Sequence, residues 1–273
     1  MFISIIIPTY NGKMILSKYL PLILKGMNKN TEILIVDNNS TDGTNDLINS
    51  FKTVKYLKLN KNYGFSGACN SGAKKALGEY LLFLNNDCLL DSQNLNKLVK
   101  FLESNNNLVA TQPVVLNPQR EIENIGLKVN LRIAKAFPIK NKIWFKNFKK
   151  KQTNPFKISE IYVLAATCLL IRRNIFTKIG MFDEKFHSYH EDVDLFIRLT
   201  KAGYSYLPCL DASCIHEHMA TSIRMSNYKQ KQDFKNWIRI IIKNYPLSYK
   251  VKYSPSLLVE RLRNLNGIIK TYL

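Results

Sequence analysis

The chain reads as an α/β protein built on a mostly parallel sheet covered by helices on both faces. Two observations predict this. Short apolar runs alternate with amphipathic stretches of helical length from Ile3 to Leu84, and clusters of polar residues fall just after those runs.

In chain order, Ile3 to Ile7 predicts a buried first strand, and the stretch near Met14 to Leu24 a helix. Strand Glu32 to Val36, a helix near Gly43 to Phe51, strand Val54 to Leu59, helix Ser66 to Leu77 and strand Tyr80 to Leu84 follow. Such alternation builds right-handed βαβ units. The second half is less regular. Strands are expected at Val109 to Val115, Val163 to Ile171 and Tyr204 to Leu207, with a helix from Asp192 to Ala202 that Gly203 terminates.

At 273 residues and 46% hydrophobic composition, the chain can bury one large core or two small ones. No apolar run reaches the roughly 18 residues of a membrane span. Met1 to Ile7 lacks a basic region and a cleavage site, so it reads as a strand and not as a signal peptide. The five cysteines follow no disulfide framework, which fits a reducing cytoplasm.

Forty Lys and Arg against twenty Asp and Glu give a net charge of +20, which calls for a polyanionic partner: nucleic acid, an anionic membrane surface or a phosphorylated substrate. Lys135 to Lys157 holds eight lysines and no acid, interleaved with Phe137, Trp144, Phe145, Phe148 and Phe156. Rings among lysines suit an anionic membrane interface, and Phe234 to Lys243 has the pattern of a similar surface helix. The tail from Met219 to Leu273 carries eleven basic residues against Asp233 and Glu260.

Ligands of open α/β sheets bind beyond the carboxyl ends of the strands. Three polar clusters occupy such positions: Pro8-Thr9-Tyr10-Asn11, Asp37-Asn38-Asn39-Ser40-Thr41-Asp42 and Asn85-Asn86-Asp87. The second also reads as an Asx turn with a helix cap. Gly64-Phe65-Ser66-Gly67 matches neither the dinucleotide nor the Walker spacing, which disfavours an NAD site and an NTPase. A lone carboxylate such as Asp87 after a central strand suits Mg²⁺ or Mn²⁺, which complete their shells with waters and substrate phosphates. Glu191, Asp192 and Asp194 open a helix. As a plain structural feature they are helix-dipole acids, with Asp194 paired to Arg198 at i,i+4.

Taken in order, Ile5 to Asn11, Ile35 to Gly43, Asn62 to Gly72, Leu84 to Asp87, the Gly180 to Arg198 block and His216 resemble a family 2 glycosyltransferase of the GT-A fold, close to its rhamnosyltransferase-like branch. The resemblance spans roughly residues 3 to 222. It implies a nucleotide-sugar donor, carrying dTDP or UDP, and a saccharide or lipid-linked saccharide acceptor in cell-surface polysaccharide synthesis. Pro8, Thr9, Tyr10, Asn11, Asp37 and Asn39 would line the donor site, Asn62, Gly64 and Asn70 would close it, and Asn85 and Asn86 would flank the diphosphate. Asp87 takes the position of the metal-contacting Asp, with Asn85 where the general motif has another Asp. His216, or the nearby His218, would reach the metal or the diphosphate. Asp192 matches the base that deprotonates the acceptor, with Glu191 beside it, in a single inverting displacement. A helix N-terminus would hold that carboxylate as the anion, at some loss of basicity.

Three competing readings remain at this level. Cys209, Cys214, His216 and His218 invite a zinc site, although their spacing matches no C-x₂-C or H-x₃-H pair. The charge invites a nucleic-acid-binding module, although no recognition motif appears. A nucleotidyltransferase would share the nucleotide pocket and metal carboxylate but has no use for Asp192. The glycosyltransferase reading makes residues 1–222 the catalytic domain and 223–273 a basic helical extension, at the inner face of a cell membrane, with no nucleic-acid partner.

Overall fold

A computed structural model describes residues 2–25, 27, 29–143, 156, 159–217 and 226–270. Trp144, Phe145, Phe148 and His218 lie outside the described residues.

The first half forms β1 (Ile3–Thr9), α1 (Lys13–Lys25), β2 (Thr31–Asp37), α2 (Thr44–Asn49), β3 (Val54–Lys58), α3 (Gly64–Lys75) and β4 (Tyr80–Leu84). There follow β5 (Cys88–Leu89), α4 (Ser92–Glu103), β6 (Leu108–Thr111), β7 (Pro113–Leu116), β8 (Ile122–Asn124), β9 (Leu127–Asn130) and β10 (Lys135–Pro138). The remainder comprises β11 (Glu160–Val163), β12 (Cys168–Arg172), α5 (Arg173–Lys178), a 3-10 turn (Glu184–Phe186), α6 (Glu191–Lys201), β13 (Ser205–Tyr206) and β14 (Cys209–His216). Helices α7 (Ser226–Asn244) and α8 (Leu247–Lys270) complete it.

The main sheet has seven strands in the order β13-β6-β12-β4-β1-β2-β3. Strands β1 to β4 are mutually parallel, and β12 runs antiparallel between β4 and β6. Alternation along the strands divides the core in two. Ile6, Leu81 and Phe83 face one layer, whereas Ile5, Ile7, Leu82 and Leu84 face the other. Burial on both faces is why these strands are continuous apolar runs and not alternating ones.

Two expected strands are each broken in two. Val109 to Val115 divides at Gln112, where the chain leaves the main sheet for a four-stranded sheet, β5-β14-β7-β8. Pro113 cannot donate to a ladder, and the buried Gln112 side chain supplies the missing bonds: its amide donates to Asn124 Oδ1 at 3.1 Å and its carbonyl accepts from Ala165 N at 2.6 Å. Val163 to Ile171 likewise divides between a three-stranded sheet, β10-β9-β11, and the main sheet. Tyr204 to Leu207 shrinks to the two residues of β13, and the eight-residue β14 carries the chain on to His216.

The stretch Phe234 to Lys243 differs from expectation in its orientation. It lies within α7, and its Trp237 and Ile240 are buried in the same core as Phe186 and Phe196, leaving Ile242 exposed. The aromatic anchor of this helix therefore serves packing. Among the described residues no helix is long and apolar enough to cross a membrane, and all five cysteines are free and buried.

Candidate functional site

The carboxyl ends of β1, β2 and β4 lie side by side, so three of the polar clusters converge. Asn38 N–H donates to Thr9 O at 2.8 Å, and Asn86 Nδ2 donates to Thr9 Oγ1 at 3.0 Å. Pro8 and Thr9 are buried at the floor, while Tyr10, Asn11 and Asn39 are exposed on the rim. Asn11 and Asn39 both hold positive φ, 49° and 67°, a conformation that asparagine tolerates better than most residues.

Asp37 is fully buried. It accepts from Ser40 N at 2.9 Å, from the Ser40 hydroxyl and from Tyr56 OH at 2.6 Å. Asp37 thus closes a turn on Ser40, three residues on rather than the two of an Asx turn, and α2 begins after Gly43 with no side-chain cap; the turn shapes the loop that carries Asn39. Asn38, absent from the expected set, ties that loop to the next: its amide donates to Gly64 O at 3.2 Å and its carbonyl accepts from Tyr63 N at 3.1 Å. Asn62 accepts from Gly64 N at 2.8 Å. Gly64 holds φ +71°, and a Cβ there would stand 2.3 Å from His187 O, so the position admits only glycine without rearrangement.

Asn70 does not join this group. It is buried nearly two turns further along α3. Its amide donates to Phe182 O at 2.8 Å and Glu184 Oε1 at 3.0 Å, and its carbonyl accepts from Phe182 N at 3.1 Å. With both ends satisfied inside the protein, it fastens α3 to the 3-10 turn.

Asp87 and His216 do meet. His216 is the last residue of β14, and β5 pairs with β14 so that Cys88 lies opposite it. His216 Nε2 lies 3.3 Å from Asp87 Oδ1, and Nδ1 lies 3.0 Å from Glu123 Oε2. Burial opposes charge on the ring, but the hydrogen bonds to Asp87 and Glu123 outweigh it and raise His216 to about 10. Single ligand atoms of Asp87, Cys88 and His216 all lie within 4.8 Å of one another. One carboxylate oxygen, one imidazole nitrogen and a second carboxylate orienting the ring form a donor set that fits a divalent cation completing its shell on phosphate oxygens, provided that the cation displaces the proton the two carboxylates otherwise hold on the ring. Among the described residues, the cluster at His216 that could hold a metal comprises Asp87 and Cys88 and includes neither Cys209 nor Cys214.

The Glu191–Asp192 pair approaches the same place through one short loop. Asn85 N–H donates to Thr167 O at 3.0 Å, and Ala166 N–H donates to Asp192 Oδ2 at 3.2 Å. The peptide between β11 and β12 thus spaces Asp192 from the Asn85–Asp87 turn. Burial raises the Asp192 carboxyl above its ordinary value, against lowering by His190 and the backbone N–H groups. This net rise is opposite in direction to the loss of basicity expected at a helix N-terminus, because burial exceeds the lowering by His190 and the backbone N–H groups. Glu191 is pushed well above the usual range, first by burial and then by Asp192, and its Oε2 has no hydrogen-bond partner among the described residues. Asp194 behaves as the structural acid, with Arg198 Nε at 2.8 Å and Asn244 Nδ2 donating at 2.8 Å.

Helix α7 holds the loop before this pair. Asn236 Nδ2 donates to the carbonyls of Phe186, Ser188 and Tyr189 at 3.0, 2.8 and 2.7 Å. Asp233 pairs with His190 at 2.6 Å. His187, Tyr189 and His190 all hold positive φ, so this loop needs such external support.

The family described as "Glycosyl transferase family 2" matches residues 4–180, which includes the Asn85–Asp87 turn and stops before Glu191. An uncharacterised glycosyltransferase of Rickettsia conorii is 39% identical over 106 residues, 38% of this chain and 18% of its own length. An O-antigen biosynthesis protein of Myxococcus xanthus is 28% identical over 70% of this chain and 15% of its own. The chain thus spans about a fifth or less of the first curated relatives it matches. The N-acetylglucosaminyl-diphospho-decaprenol L-rhamnosyltransferase of Mycobacterium tuberculosis is 23% identical over 81% of this chain and 77% of its own. The fold is shared with GalNAc-T7 solved with UDP, GalNAc and Mn²⁺ (TM-score 0.69, 17% identity, 92% of this chain and 49% of that one). It is also shared with the Pyrobaculum calidifontis mannosyltransferase PcManGT solved with GDP-Man and Mn²⁺ (TM-score 0.61, 16% identity, 97% of this chain and 71% of that one). Both are glycosyltransferases, and the α/β architecture expected from the sequence is the architecture observed.

Proposed function

The chain belongs to glycosyl transferase family 2, and from that premise we propose that it moves a sugar with inversion from a dTDP- or UDP-sugar to a saccharide or lipid-linked saccharide acceptor. The setting we infer is cell-surface polysaccharide synthesis at the inner face of a membrane. Residues 1–222 form the transferase domain in this reading, and 223–273 a basic helical extension packed on it.

The observation that carries the proposal is that Asp87 and His216 meet at the carboxyl end of the sheet, while Ala166–Thr167 tie Asp192 to the Asn85 end of the same turn. Pro8, Thr9 and Asp37 form the floor under the base and ribose, with Tyr10, Asn11, Asn39, Asn62 and Gly64 at its edges. Asn85 and Asn86 flank the diphosphate. Asp87 and His216 would hold Mg²⁺ or Mn²⁺, which when bound offsets charge on the nucleoside diphosphate.

Asp192 takes the proton of the acceptor hydroxyl as its oxygen bonds to the anomeric carbon. The bond from that carbon to the diphosphate oxygen breaks, and its electron pair leaves with the diphosphate. Entry and departure on opposite faces invert the centre. A carboxylate made more basic by burial suits the role. Burial and the neighbouring Asp192 push Glu191 well above the usual carboxylate range, which disfavours a second negative charge beside the base. The support from comparison is the rhamnosyltransferase of M. tuberculosis, aligned over most of both chains, and neighbours solved with UDP or GDP-Man.

A panel of dTDP-, UDP- and GDP-sugars, measured by thermal shift with Mn²⁺, tests the donor. Stabilisation by dTDP- or UDP-sugars supports the proposal, and no response to any nucleotide sugar contradicts it.

A further inference from the structure

Helix α8 carries an apolar face that nothing in the described structure covers. Leu247, Val251, Leu258, Leu262, Leu265 and Ile269 are between 38% and 75% exposed. At about 100° per residue they fall within an arc of about 60°, a single stripe along the helix. The opposite face, with Tyr249 and Glu260, is buried, as are Leu257 and Arg261 on one side between the two. The stripe is thus surplus to folding.

The surroundings of the stripe are basic. Lys252 and Arg263 are exposed on its flank. The helix's one acid, Glu260, is buried and paired with Lys135 at 2.7 Å and Arg263 at 3.6 Å. The same Lys135 opens the lysine-rich segment, so that segment starts against α8. Its described beginning leaves Phe137, Lys140 and Ile143 exposed. Phe156, near its far end, packs its ring 5.1 Å from Tyr245 and 5.2 Å from Tyr249. Lys135 and Phe156 thus both lie against α8.

We propose that this face of α8 docks the protein on an anionic lipid surface, the helix lying in the interface with its leucines among the acyl chains and its basic flank at the headgroups. A stripe of this kind beside ammonium and guanidinium groups, with no exposed acid on the helix, is the complement of an anionic bilayer. A second copy is a poorer occupant, because it would set the same basic flanks of two chains of charge +20 against each other. The sequence reading placed a surface helix at Phe234 to Lys243; Trp237 of that stretch is buried, and the proposed contact lies on α8 instead. It deepens the membrane setting proposed above and rests on that reading for the acceptor only.

The test is flotation of the full chain with phosphatidylcholine–phosphatidylglycerol vesicles and with pure phosphatidylcholine vesicles, at low and high salt. The wild type floats with the anionic vesicles at low salt only. The triple variant Leu258→Gln, Leu262→Gln, Leu265→Gln loses about tenfold or more of that partition while its thermal unfolding and its response to nucleotide sugars stay unchanged. Absence of wild-type flotation, or equal flotation by the triple variant, overturns the proposal. So does light scattering that finds a dimer which the variant converts to monomer. A wild type that floats but responds to no nucleotide sugar would sink the glycosyltransferase reading and leave the lipid surface standing.

Discussion

Glu123 Oε2 lies 3.0 Å from His216 Nδ1, and the opposite ring nitrogen faces Asp87 Oδ1 at 3.3 Å. A carboxylate on the far side of an imidazole fixes its tautomer and orientation and raises its strength as a ligand. Glu123→Gln keeps the size but removes the charge. Mn²⁺ affinity should fall about tenfold or more, read by electron paramagnetic resonance of free Mn²⁺, with little change in melting temperature. Unaltered affinity would remove Glu123 from the site.

Asn236 should act on the Glu191–Asp192 pair without touching substrate. One buried amide nitrogen serves three carbonyls of the loop 186–189. Asn236→Ala leaves them without that donor, at about 1–3 kcal/mol. We expect a lower melting temperature and a lower kcat with nearly unchanged KM for the donor. A loss confined to stability would mean that the loop finds the same geometry unaided.

Two pH dependences follow from opposite shifts. Burial raises Asp192 despite lowering by His190. As a base it works only when deprotonated, so the acid limb of kcat/KM should lie above the ordinary aspartate value of about 3.9. A limb at or below that value would argue against this assignment. Burial also pulls Asp233 upward, but the hydrogen bond and charge of His190 prevail and lower it. Its folded value is then below its unfolded one, so its stabilising contribution is present above the unfolded value and is lost as pH falls through the folded one. The melting temperatures of wild type and Asp233→Asn should converge on acidification; a constant gap would contradict the linkage.

Gly64→Ala tests the contact between the nucleotide loops and the loop before Asp192. At φ +71°, with His187 O 2.3 Å from the added carbon, destabilisation of about 1–3 kcal/mol is expected in urea unfolding. A neutral result would show that the 187–188 loop yields easily.

What was legible in the sequence is what local pattern encodes. Strands β1 to β4 announce themselves as apolar runs because both faces are buried, and the candidate residues at their ends are chosen because parallel sheets bind ligands there. Glu123 carries no such signal. It reaches His216 from β8, after a break at Gln112 that the apolar run through Val115 conceals. Asn70 sits in a motif yet has both amide ends taken by Phe182 and Glu184, a pairing set by tertiary packing. Trp237 shows the same limit: an aromatic among basic residues reads as a surface anchor until the fold turns it inward. The burial that raises Asp192 likewise depends on neighbours distant in sequence.

The most direct measurement is transfer by Asp192→Asn, followed with the donor that stabilises the wild type and with donor affinity measured alongside. The asparagine keeps the shape and the N–H contact from Ala166 but cannot take a proton. Donor binding should be nearly intact and kcat should fall by about 10²–10⁴-fold. Transfer at the wild-type rate would contradict the account.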